Sequence, residues 1–342
     1  MASQIPKPAE ALVISRAEVA QLLTIEACIA AVEDAFLAHA RGLAHPPAVL
    51  GVHVEDGGFH VKAAGLKADT DKARPAMFAA KVNANFPGNP ERNGLPTIQG
   101  VLTLFDAENG TPLALLDSIE ITSQRTAAAT AVAARYLARP DASRVTICGC
   151  GEQGRSQLRA LIRVRGIREV LAFDAAHERA ARFAREMSVE LPNVSIFPVD
   201  DLTAATRRSD ICVTCTPSRS ALLGPNDVGP GAFIAAVGAD NPEKQELAPA
   251  LLASSTVVVD ILDQCATIGD LHHAIAAGAM RREDVYAELA EVVALEKPGR
   301  RSNEEIIIFD STGTALQDVA AAALVYERAL ATGKGMRVAL GA

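Results

Sequence analysis

Hydrophobic and polar positions follow two different patterns along this chain. Between residues 143 and about 309, short apolar runs alternate with stretches whose apolar residues recur at helical spacing. Such alternation is typical of βαβ units and predicts a doubly wound, mostly parallel sheet of the α/β class. The predicted strands cover residues 144–148, 169–173, 194–197, 210–214, 232–237, 256–259 and 305–309.

The part of the chain before residue 143 has no βαβ pattern. Residues 15–18 form a capping-box sequence before an amphipathic helix that is predicted to continue to about residue 40. Short strands separated by turns follow from about residue 48 to 116. These elements predict a separate sheet with the first helix packed on it.

Two further helices connect these parts. An Ala-rich helix is predicted over residues 125–138, and a last helix runs from 313 to about 331. Because the last helix follows the parallel region, we expect it to pack back on the first part of the chain. The chain is therefore predicted to form a discontinuous α+β domain, residues 1–125 plus 314–342, and an α/β domain over 126–313.

Composition excludes several classes of protein. The chain has 342 residues, with 33 Lys and Arg against 41 Asp and Glu and no basic block, which argues against a nucleic-acid partner. The N-terminal sequence lacks a secretory signal, and no stretch approaches the roughly 18 apolar residues of a membrane span. We expect a soluble, cytoplasmic protein.

Cysteine and histidine pairs resemble metal ligands only superficially. The pairs at 148 and 150 and at 212 and 215 lack the loop context of a zinc site, so we interpret the six cysteines as small buried hydrophobic residues. His272 and His273 have no visible third ligand and fit a helical surface pair better. No metal site is predicted.

A glycine-rich loop carries the clearest chemical signal. The predicted strand 144–148 leads into Gly149, Gly151 and Gly154, and a helical pattern follows. In a Rossmann-like fold the first glycine makes a tight turn, the second admits a pyrophosphate and the third lets helix and strand pack closely. The backbone N–H groups of Glu152 and Gln153 are then expected to meet phosphate at the helix N-terminus.

The acidic residue after the next predicted strand indicates which dinucleotide binds. Asp174 stands about twenty residues beyond the glycines, where an acid hydrogen-bonds the ribose hydroxyls and repels a 2′-phosphate. This favours NAD, whereas the nearby Arg179 keeps NADP as a less favoured alternative. Thr216, which follows the strand 210–214, is expected to line the adenosine side.

Several motifs together resemble the ornithine cyclodeaminase/mu-crystallin family. They are ITSQRTAA at 121–128, the glycine loop, VGADNPEKQEL at 237–247 and FDSTGTALQDV at 309–319, within a resemblance that extends from about residue 15 to 331. The resemblance implies NAD(P)-linked chemistry at an amino-acid α-carbon, a Rossmann domain, and a discontinuous domain that forms a homodimer. The family also contains archaeal-type alanine dehydrogenase and ketimine or imine reductases.

Three charged residues are candidates for the chemistry. Asp240 follows a predicted parallel strand, and ligands of such sheets bind at the carboxyl ends of the strands. Lys81 is a lone charge in an apolar strand, and Arg125 begins a predicted helix, where its charge opposes the helix dipole. The resemblance implies that Asp240 is the acid/base beside the substrate nitrogen and that Arg125 binds the substrate carboxylate. It also implies that Lys81 contacts the substrate carboxylate or carbonyl and is a catalytic residue that shares the proton transfer. A loop-capping aspartate and a snorkelling edge lysine are the structural alternatives.

The chain departs from the ornithine enzymes at two places. Where they have a second carboxylate-binding arginine after a proline, residues 46–48 read PPA, and where they have a glutamate for the distal amine, this chain has His60. Loss of that anion disfavours a diamine substrate. Lys62 is a candidate to restore the missing positive charge, with an ordinary exposed strand residue as the equal alternative.

These observations predict an NAD-dependent oxidoreductase acting on C–N bonds, an imine reductase or amino-acid dehydrogenase for a small 2-imino or 2-keto acid. The alternatives are an ornithine cyclodeaminase-type lyase that uses NAD catalytically and a non-catalytic, crystallin-like NAD(P)-binding protein. The resemblance further implies cofactor contacts at Thr97, Thr126, Val237 and Ser311.

Overall fold

The computed structural model describes residues 10–72 and 74–340. The N-terminal segment in which no secretory signal is predicted, residues 1–9, lies outside the described residues. The chain divides into two units, one made of the residues up to Arg125 and from Ala315 onward, and the other of Thr126–Thr314. In the described part of the chain, no helix is both long and apolar enough to cross a bilayer.

The strands differ in length between the units, with nine to eleven residues in β2–β5 and two to five in β7–β16. Within the described residues they are β1 (Glu10–Ile14), β2 (Ala44–Val54), β3 (Gly57–Leu66), β4 (Met77–Asn85), β5 (Ile98–Asp106), β6 (Pro112–Asp117), β7 (Arg144–Cys148), β8 (Glu169–Phe173), β9 (Ser195–Pro198), β10 (Ile211–Thr214), β11 (Arg219–Leu223), β12 (Phe233–Ala236), β13 (Gln245–Leu247), β14 (Thr256–Val259), β15 (Ala287–Glu288), β16 (Ile307–Asp310) and β17 (Met336–Ala339).

The helices include three long ones, α2, α4 and α12, and several of a single turn or two. In the same residues they are α1 (Arg16–Leu22), α2 (Ile25–Ala40), α3 (Asn89–Asn93), α4 (Ser118–Leu137), α5 (Glu152–Leu161), α6 (His177–Glu190), α7 (Leu202–Thr206), α8 (Pro249–Ala253), α9 (Leu262–Ile268), α10 (Asp270–Ala276), α11 (Leu289–Val293) and α12 (Ala315–Thr332).

The first unit is a seven-stranded sheet in the order β17-β1-β6-β5-β4-β3-β2. All neighbouring strands in it are antiparallel except β1 and β6. One face is buried, with Ala64, Ala79, Leu102 and Leu104 at most 2% exposed. Helix α12 packs against β3, β4 and α2, so the last helix does return to the first part of the chain.

The second unit contains an eight-stranded sheet in the order β15-β14-β16-β12-β10-β7-β8-β9, with all neighbours parallel. The predicted α/β fold, a doubly wound parallel sheet with a separate α+β part, is therefore confirmed. The strand order reverses between β7 and β10, which is the switch point where ligands of doubly wound sheets bind. Seven of the eight strands are those predicted, within two residues of the expected ends.

Two sequence expectations about helices are wrong. The first predicted helix is split into α1 and α2 because Thr24 caps a new helix, accepting a hydrogen bond from the Ala27 N–H. The Ala-rich helix begins at Ser118, seven residues before Arg125, because Asp117 accepts hydrogen bonds from the Ile119 and Glu120 N–H groups. Arg125 therefore lies two turns inside α4, and the dipole argument does not apply to it.

Candidate active site

Two glycines of the loop after β7 are required by packing. Gly149 has a φ of +106°, and a Cβ atom there would lie 2.8 Å from the Cys215 carbonyl oxygen. A Cβ atom at Gly154 would lie 2.3 Å from the Gly149 carbonyl oxygen. Gly151 is different, because a Cβ atom there would meet nothing within 4 Å. Gly151 thus leaves space on the outside of the loop rather than inside the fold.

The N-terminus of α5 faces this space with its donors uncapped by any side chain. Gly151 is the N-cap and makes no side-chain cap bond, and Glu152 is the first helical residue. The Oε1 atom of Gln153 is buried and has no hydrogen-bond partner among the described residues. Unpaired N–H groups and the positive end of a ten-residue helix suit a pyrophosphate, so the residues present fit a dinucleotide.

Asp174 is fixed by the backbone at the carboxyl end of β8. Its Oδ2 atom accepts a hydrogen bond from the Cys150 N–H at 3.0 Å, and its Oδ1 atom accepts one from the Ala176 N–H, also at 3.0 Å. These bonds hold the carboxylate beside the glycine loop, where a ribose would be recognised. Arg179 lies in the first turn of α6 and is exposed.

A buried carboxylate that the sequence analysis missed organises the next two loops. Glu246, in β13, is 0% exposed. It accepts hydrogen bonds from the Thr216 N–H at 2.6 Å, the Thr216 Oγ1 at 2.7 Å and the Gly238 N–H at 2.9 Å. Val237, a predicted cofactor contact, directly precedes Gly238 and is held by a backbone bond of its own. Its N–H donates to the Thr214 carbonyl at 2.9 Å.

The ionisation of Glu246 is perturbed. Burial, followed by the neighbouring Asp270 carboxylate, raises its pKa to about 7, although hydrogen bonds from Thr214 and Thr216 act in the opposite direction. Asp270 is also buried, which raises its pKa to about 6 although it accepts the backbone N–H groups of Leu247 and Glu246. The predicted contact Ser311 adjoins a third buried acid, since its Oγ donates to Asp260 at 3.1 Å.

In the first unit, Lys62 and Lys81 lie directly opposite each other on neighbouring strands. They are register partners of β3 and β4, so their side chains are on the same face of the sheet, as is that of His60. Lys81 is 3% exposed and Lys62 is 8% exposed, and β4 is a central strand. The structure therefore contradicts the snorkelling edge lysine and the exposed strand lysine as alternatives.

Arg125 joins the lysines through a carboxylate. Asp318 accepts hydrogen bonds at 2.9 Å from both Lys81 Nζ and Arg125 Nε, and the Nη1 atom of Arg125 donates to Gln317 Oε1 at 2.9 Å. Arg125 is 4% exposed, Gln317 and Asp318 1%. We call Lys62, Lys81, Arg125, Gln317 and Asp318 the cation cluster. Gln317 and Asp318 are not among the residues predicted from the sequence, although both stand in the FDSTGTALQDV motif.

The cluster shifts the ionisation of its members in opposite senses. Burial is the largest cause that lowers the pKa of Lys81, Arg125 and Lys62 lower it as well, and Asp318 opposes them, which leaves a pKa of about 7. Burial would raise the pKa of Asp318, but the positive charges of Arg125 and Lys81 outweigh it and lower the value. Three cations surround one carboxylate, so the arrangement is suited to an anionic ligand.

Asp240 lies in the loop after β12, and its carboxylate is 52% exposed. It forms an ion pair with Lys244, whose Nζ is 2.7 Å from Oδ1. Asn241 shapes this loop by accepting the Glu243 and Lys244 N–H groups at 3.0 and 3.2 Å. The exposed carboxylate can exchange a proton with a ligand, as an acid/base requires.

The remaining candidates are placed less tightly. His60 is half-buried on β3, Thr126 is half-buried within α4, and Thr97 precedes β5, its carbonyl accepting the Phe86 N–H at 2.8 Å. His273 lies on α10 with His272, and its Nε2 contacts the Lys244 carbonyl at 2.8 Å.

The cysteines behave as small core residues. All six are free, five are buried, and burial raises the pKa of every thiol. Across residues 10–72 and 74–340, no group of three or more His, Cys, Asp or Glu side chains is placed to hold a metal ion.

Comparison with known proteins places this site in context. The family model described as "Ornithine cyclodeaminase/mu-crystallin family" matches residues 9–333. An archaeal alanine dehydrogenase, solved as a dimer with bound NAD, superposes with a TM-score of 0.90 at 39% identity, covering 96% of this chain and 99% of that one.

Two reductases are similarly close. The delta(1)-pyrroline-2-carboxylate reductase of Thermococcus litoralis, in complex with NADH and L-proline, has a TM-score of 0.89 at 34% identity, covering 96% of this chain and 100% of that one. The iminosuccinate reductase of Paracoccus denitrificans, in complex with NAD+, has a TM-score of 0.87 at 34% identity, covering 97% and 100%.

Proposed function

Since the chain belongs to the ornithine cyclodeaminase/mu-crystallin family, we propose that it is an NAD-dependent imine reductase or amino-acid dehydrogenase for a small 2-imino or 2-oxo acid. In the reductive direction the imine carbon receives a hydride and the nitrogen a proton, and the products are an amino acid and the oxidised dinucleotide. The buried excess of positive charge in the cation cluster is the observation that carries this proposal, because it calls for a carboxylate.

The dinucleotide supplies the hydride when it is bound. We assign its pyrophosphate to the Gly151, Glu152 and Gln153 backbone at the start of α5, and its ribose to Asp174. Thr97, Thr126, Thr216, Val237 and Ser311 are proposed as further contacts. NAD is the proposed cofactor, since the neighbouring structures contain NAD or NADH and Asp174 would repel a 2′-phosphate.

The substrate carboxylate is assigned to Lys62, Lys81 and Arg125. A planar guanidinium suits bidentate binding of a carboxylate, and an ammonium group adds a point charge that tolerates more than one geometry. Lys62 supplies the positive charge that the ornithine enzymes provide by a second arginine. His60 is not an anion, so the distal amine of a diamine would find no partner at this place.

Asp240 is assigned to the proton on the substrate nitrogen. A carboxyl group donates a proton to the nitrogen of a reduced imine and accepts one in the reverse direction. Lys81 contacts the substrate carboxylate or carbonyl and, with a pKa of about 7, shares the transfer of the nitrogen proton with Asp240. Both groups are needed in this scheme, since one binds the anion and the other serves the nitrogen.

A homodimer is part of the proposal. The sheet face of the first unit opposite the cation cluster carries apolar side chains that are 37–59% exposed; they include Leu50, Val52, Phe59, Phe78, Val82, Val101 and Leu115. An exposed patch of this kind marks a protein interface. The archaeal alanine dehydrogenase neighbour was solved as a dimer.

A spectrophotometric screen tests the proposed function. Pyruvate, glyoxylate, oxaloacetate and cyclic imines are offered with ammonia or methylamine and with NADH or NADPH, and absorbance is followed at 340 nm. We expect net oxidation of NADH. Ornithine consumed without a net change in NADH would instead establish a lyase, and tight NADH binding without turnover of any compound would establish a binding protein.

Variants of the assigned residues complete this test. Asp240→Asn and Lys81→Met remove the proton carrier and the ammonium, and each is expected to lower kcat/KM by about 100-fold or more. Glu243→Gln, an exposed change in the same loop as Asp240, serves as the control. Activity of Asp240→Asn within a few-fold of the parent protein would contradict the assignment.

A further inference from the structure

Among the described residues, Asp318 forms ion pairs with both Lys81 and Arg125. Its Oδ1 atom receives hydrogen bonds at 2.9 Å from Lys81 Nζ and from Arg125 Nε, and its Oδ2 atom lies 2.8 Å from Lys81 Nζ. The carboxylate therefore fixes one donor atom of each cation. Because an ammonium has three N–H groups and a guanidinium five, both cations keep donors for a second anion.

Without Asp318 the cation cluster would be unstable. Lys62 and Lys81 are cross-strand partners on the same face, and like charges in such positions repel each other. Arg125 adds a third positive charge, and all three side chains are at most 8% exposed. A buried charge that loses its partner is strongly unfavourable, so the carboxylate on α12 is what allows these cations to stay charged and close together.

Gln317 fixes the orientation of the arginine. Its Oε1 accepts the Arg125 Nη1 at 2.9 Å, and this bond determines which way the amide points. The Nε2 atom of Gln317 is consequently buried with no acceptor in the described part of the chain. A buried donor without a partner is costly, and an oxygen of a bound carboxylate would satisfy it.

From these contacts we infer that Asp318 is a positioning residue for the reaction and that Gln317 assists it. Asp318 holds Lys81 and Arg125 in one geometry, and Gln317 sets the guanidinium plane and offers its amide N–H to the substrate. The inference rests on the proposed function, since it assigns the carboxylate of a 2-imino or 2-oxo acid to this cluster. It adds a requirement: the first turn of α12 determines how tightly the acid binds.

The test compares Asp318→Asn, Asp318→Glu and Gln317→Met with Glu327→Gln, a change of an exposed residue on the same helix. For Asp318→Asn we expect the KM of the 2-oxo acid to rise about 100-fold, with the KM of NADH unchanged within twofold. Asp318→Glu should restore most of this loss, and Gln317→Met should raise the same KM about tenfold. The control should match the parent protein.

The pH profile separates positioning from a general structural role. Asp318 favours the charged form of Lys81, so in Asp318→Asn the alkaline limb of kcat/KM should move to lower pH by about one unit. Asp318→Glu should leave the limb where it is in the parent protein. An unchanged KM and an unchanged limb in Asp318→Asn would overturn the inference, as would an unchanged KM in Gln317→Met if Asp318→Asn does not fold.

Calorimetry makes the inference testable independently of turnover. Pyruvate is titrated into each folded variant saturated with NAD+, and the affinity is expected to fall in the order parent, Gln317→Met, Asp318→Asn. If the affinities fall in this order but the parent reduces no acid, the proposed function fails, while the role of Asp318 and Gln317 in binding the carboxylate stands. If the parent reduces an acid while the variants bind pyruvate as it does, only the inference fails.

Discussion

At the scale of single residues, Lys81 is a group whose charge changes near neutral pH. Burial and the charges of Arg125 and Lys62 bring its pKa to about 7, against the usual value near 10.5. Asp318 partly compensates by favouring the charged form. Lys81 is therefore a cation below neutral pH and increasingly neutral above it.

This property predicts a pH dependence. Because the ammonium form binds the substrate carboxylate, kcat/KM for the 2-oxo acid should fall about tenfold per unit as pH rises above about 7. The arginine in Lys81→Arg keeps its charge in this range. The pH profile of this variant should therefore lack the fall in kcat/KM above pH 7, although its activity is lower. Measurements from pH 5.5 to 9.5 check this. A wild-type profile that is flat between pH 6.5 and 8.5 would contradict it.

Asp174 is a second residue whose charge has a measurable effect. Asp174→Ser removes the repulsion of a 2′-phosphate, so the ratio of kcat/KM for NADPH to that for NADH should rise about 100-fold, or roughly 2.7 kcal/mol. Fluorescence titration with both dinucleotides gives the same ratio from binding. Asp200→Ser, an exposed acid after the neighbouring strand β9, is the control and should leave the ratio unchanged.

At the scale of elements, the loops that follow β10 and β12 are joined by one side chain. Glu246 accepts hydrogen bonds from Thr214, Thr216 and Gly238 while remaining fully buried. Its pKa of about 7 is above the ordinary value of 4.5, so the folded protein holds a proton that the unfolded chain releases. The conformation of two cofactor loops is thus linked to pH.

The sign of this linkage gives a stability prediction. The contribution of a raised carboxyl pKa is complete below about pH 4.5 and is lost as pH rises through about 7, up to about 3 kcal/mol. Glu246→Gln should therefore lose less stability than the parent between pH 5 and 8, as measured by thermal or urea unfolding. The control Glu243→Gln should follow the parent. Parallel curves for Glu246→Gln and the parent would contradict the linkage.

Elements were predicted well where local patterns determine them. The strands 144–148, 169–173 and 256–259 have the predicted bounds, since buried parallel strands are continuous apolar runs bounded by polar residues. The start of α4 was wrong because Asp117, its cap, stands at the end of a strand. Short strands such as β11 and β13 are formed by tertiary pairing and have no local signature.

The same distinction applies to the candidate site. Gly149 and Gly154 could be predicted because their conformation and spacing are local. Asp318 and Glu246 could not, because their side-chain partners lie 193 and 237 residues away for Asp318 and 8 to 32 residues away for Glu246. An acidic side chain in the first turn of the mostly apolar helix α12 could have drawn attention to Asp318. Its partners could not be identified, because they depend on the fold.

At the scale of the whole molecule, the apolar sheet face predicts association of two copies. Val82 and Val101 are cross-strand partners at its centre, 37% and 44% exposed. Val101→Glu should therefore convert the dimer to a monomer in size-exclusion chromatography with light scattering. Val189→Glu, at a position 85% exposed on α6, is the matched control and should remain dimeric. A dimeric Val101→Glu protein would place the interface elsewhere.

The position of Asp318 near the end of the chain affects the order in which the two units can fold during synthesis. The second unit is one continuous segment, Thr126–Thr314, and it can fold as soon as it leaves the ribosome. Lys81 and Arg125 are made much earlier but must wait for α12 to bring their counter-ion. Until then the cations of the first sheet cannot be buried with their counter-ion. A nascent or C-terminally truncated chain should therefore depend on chaperones, whereas the isolated segment Thr126–Thr314 should not.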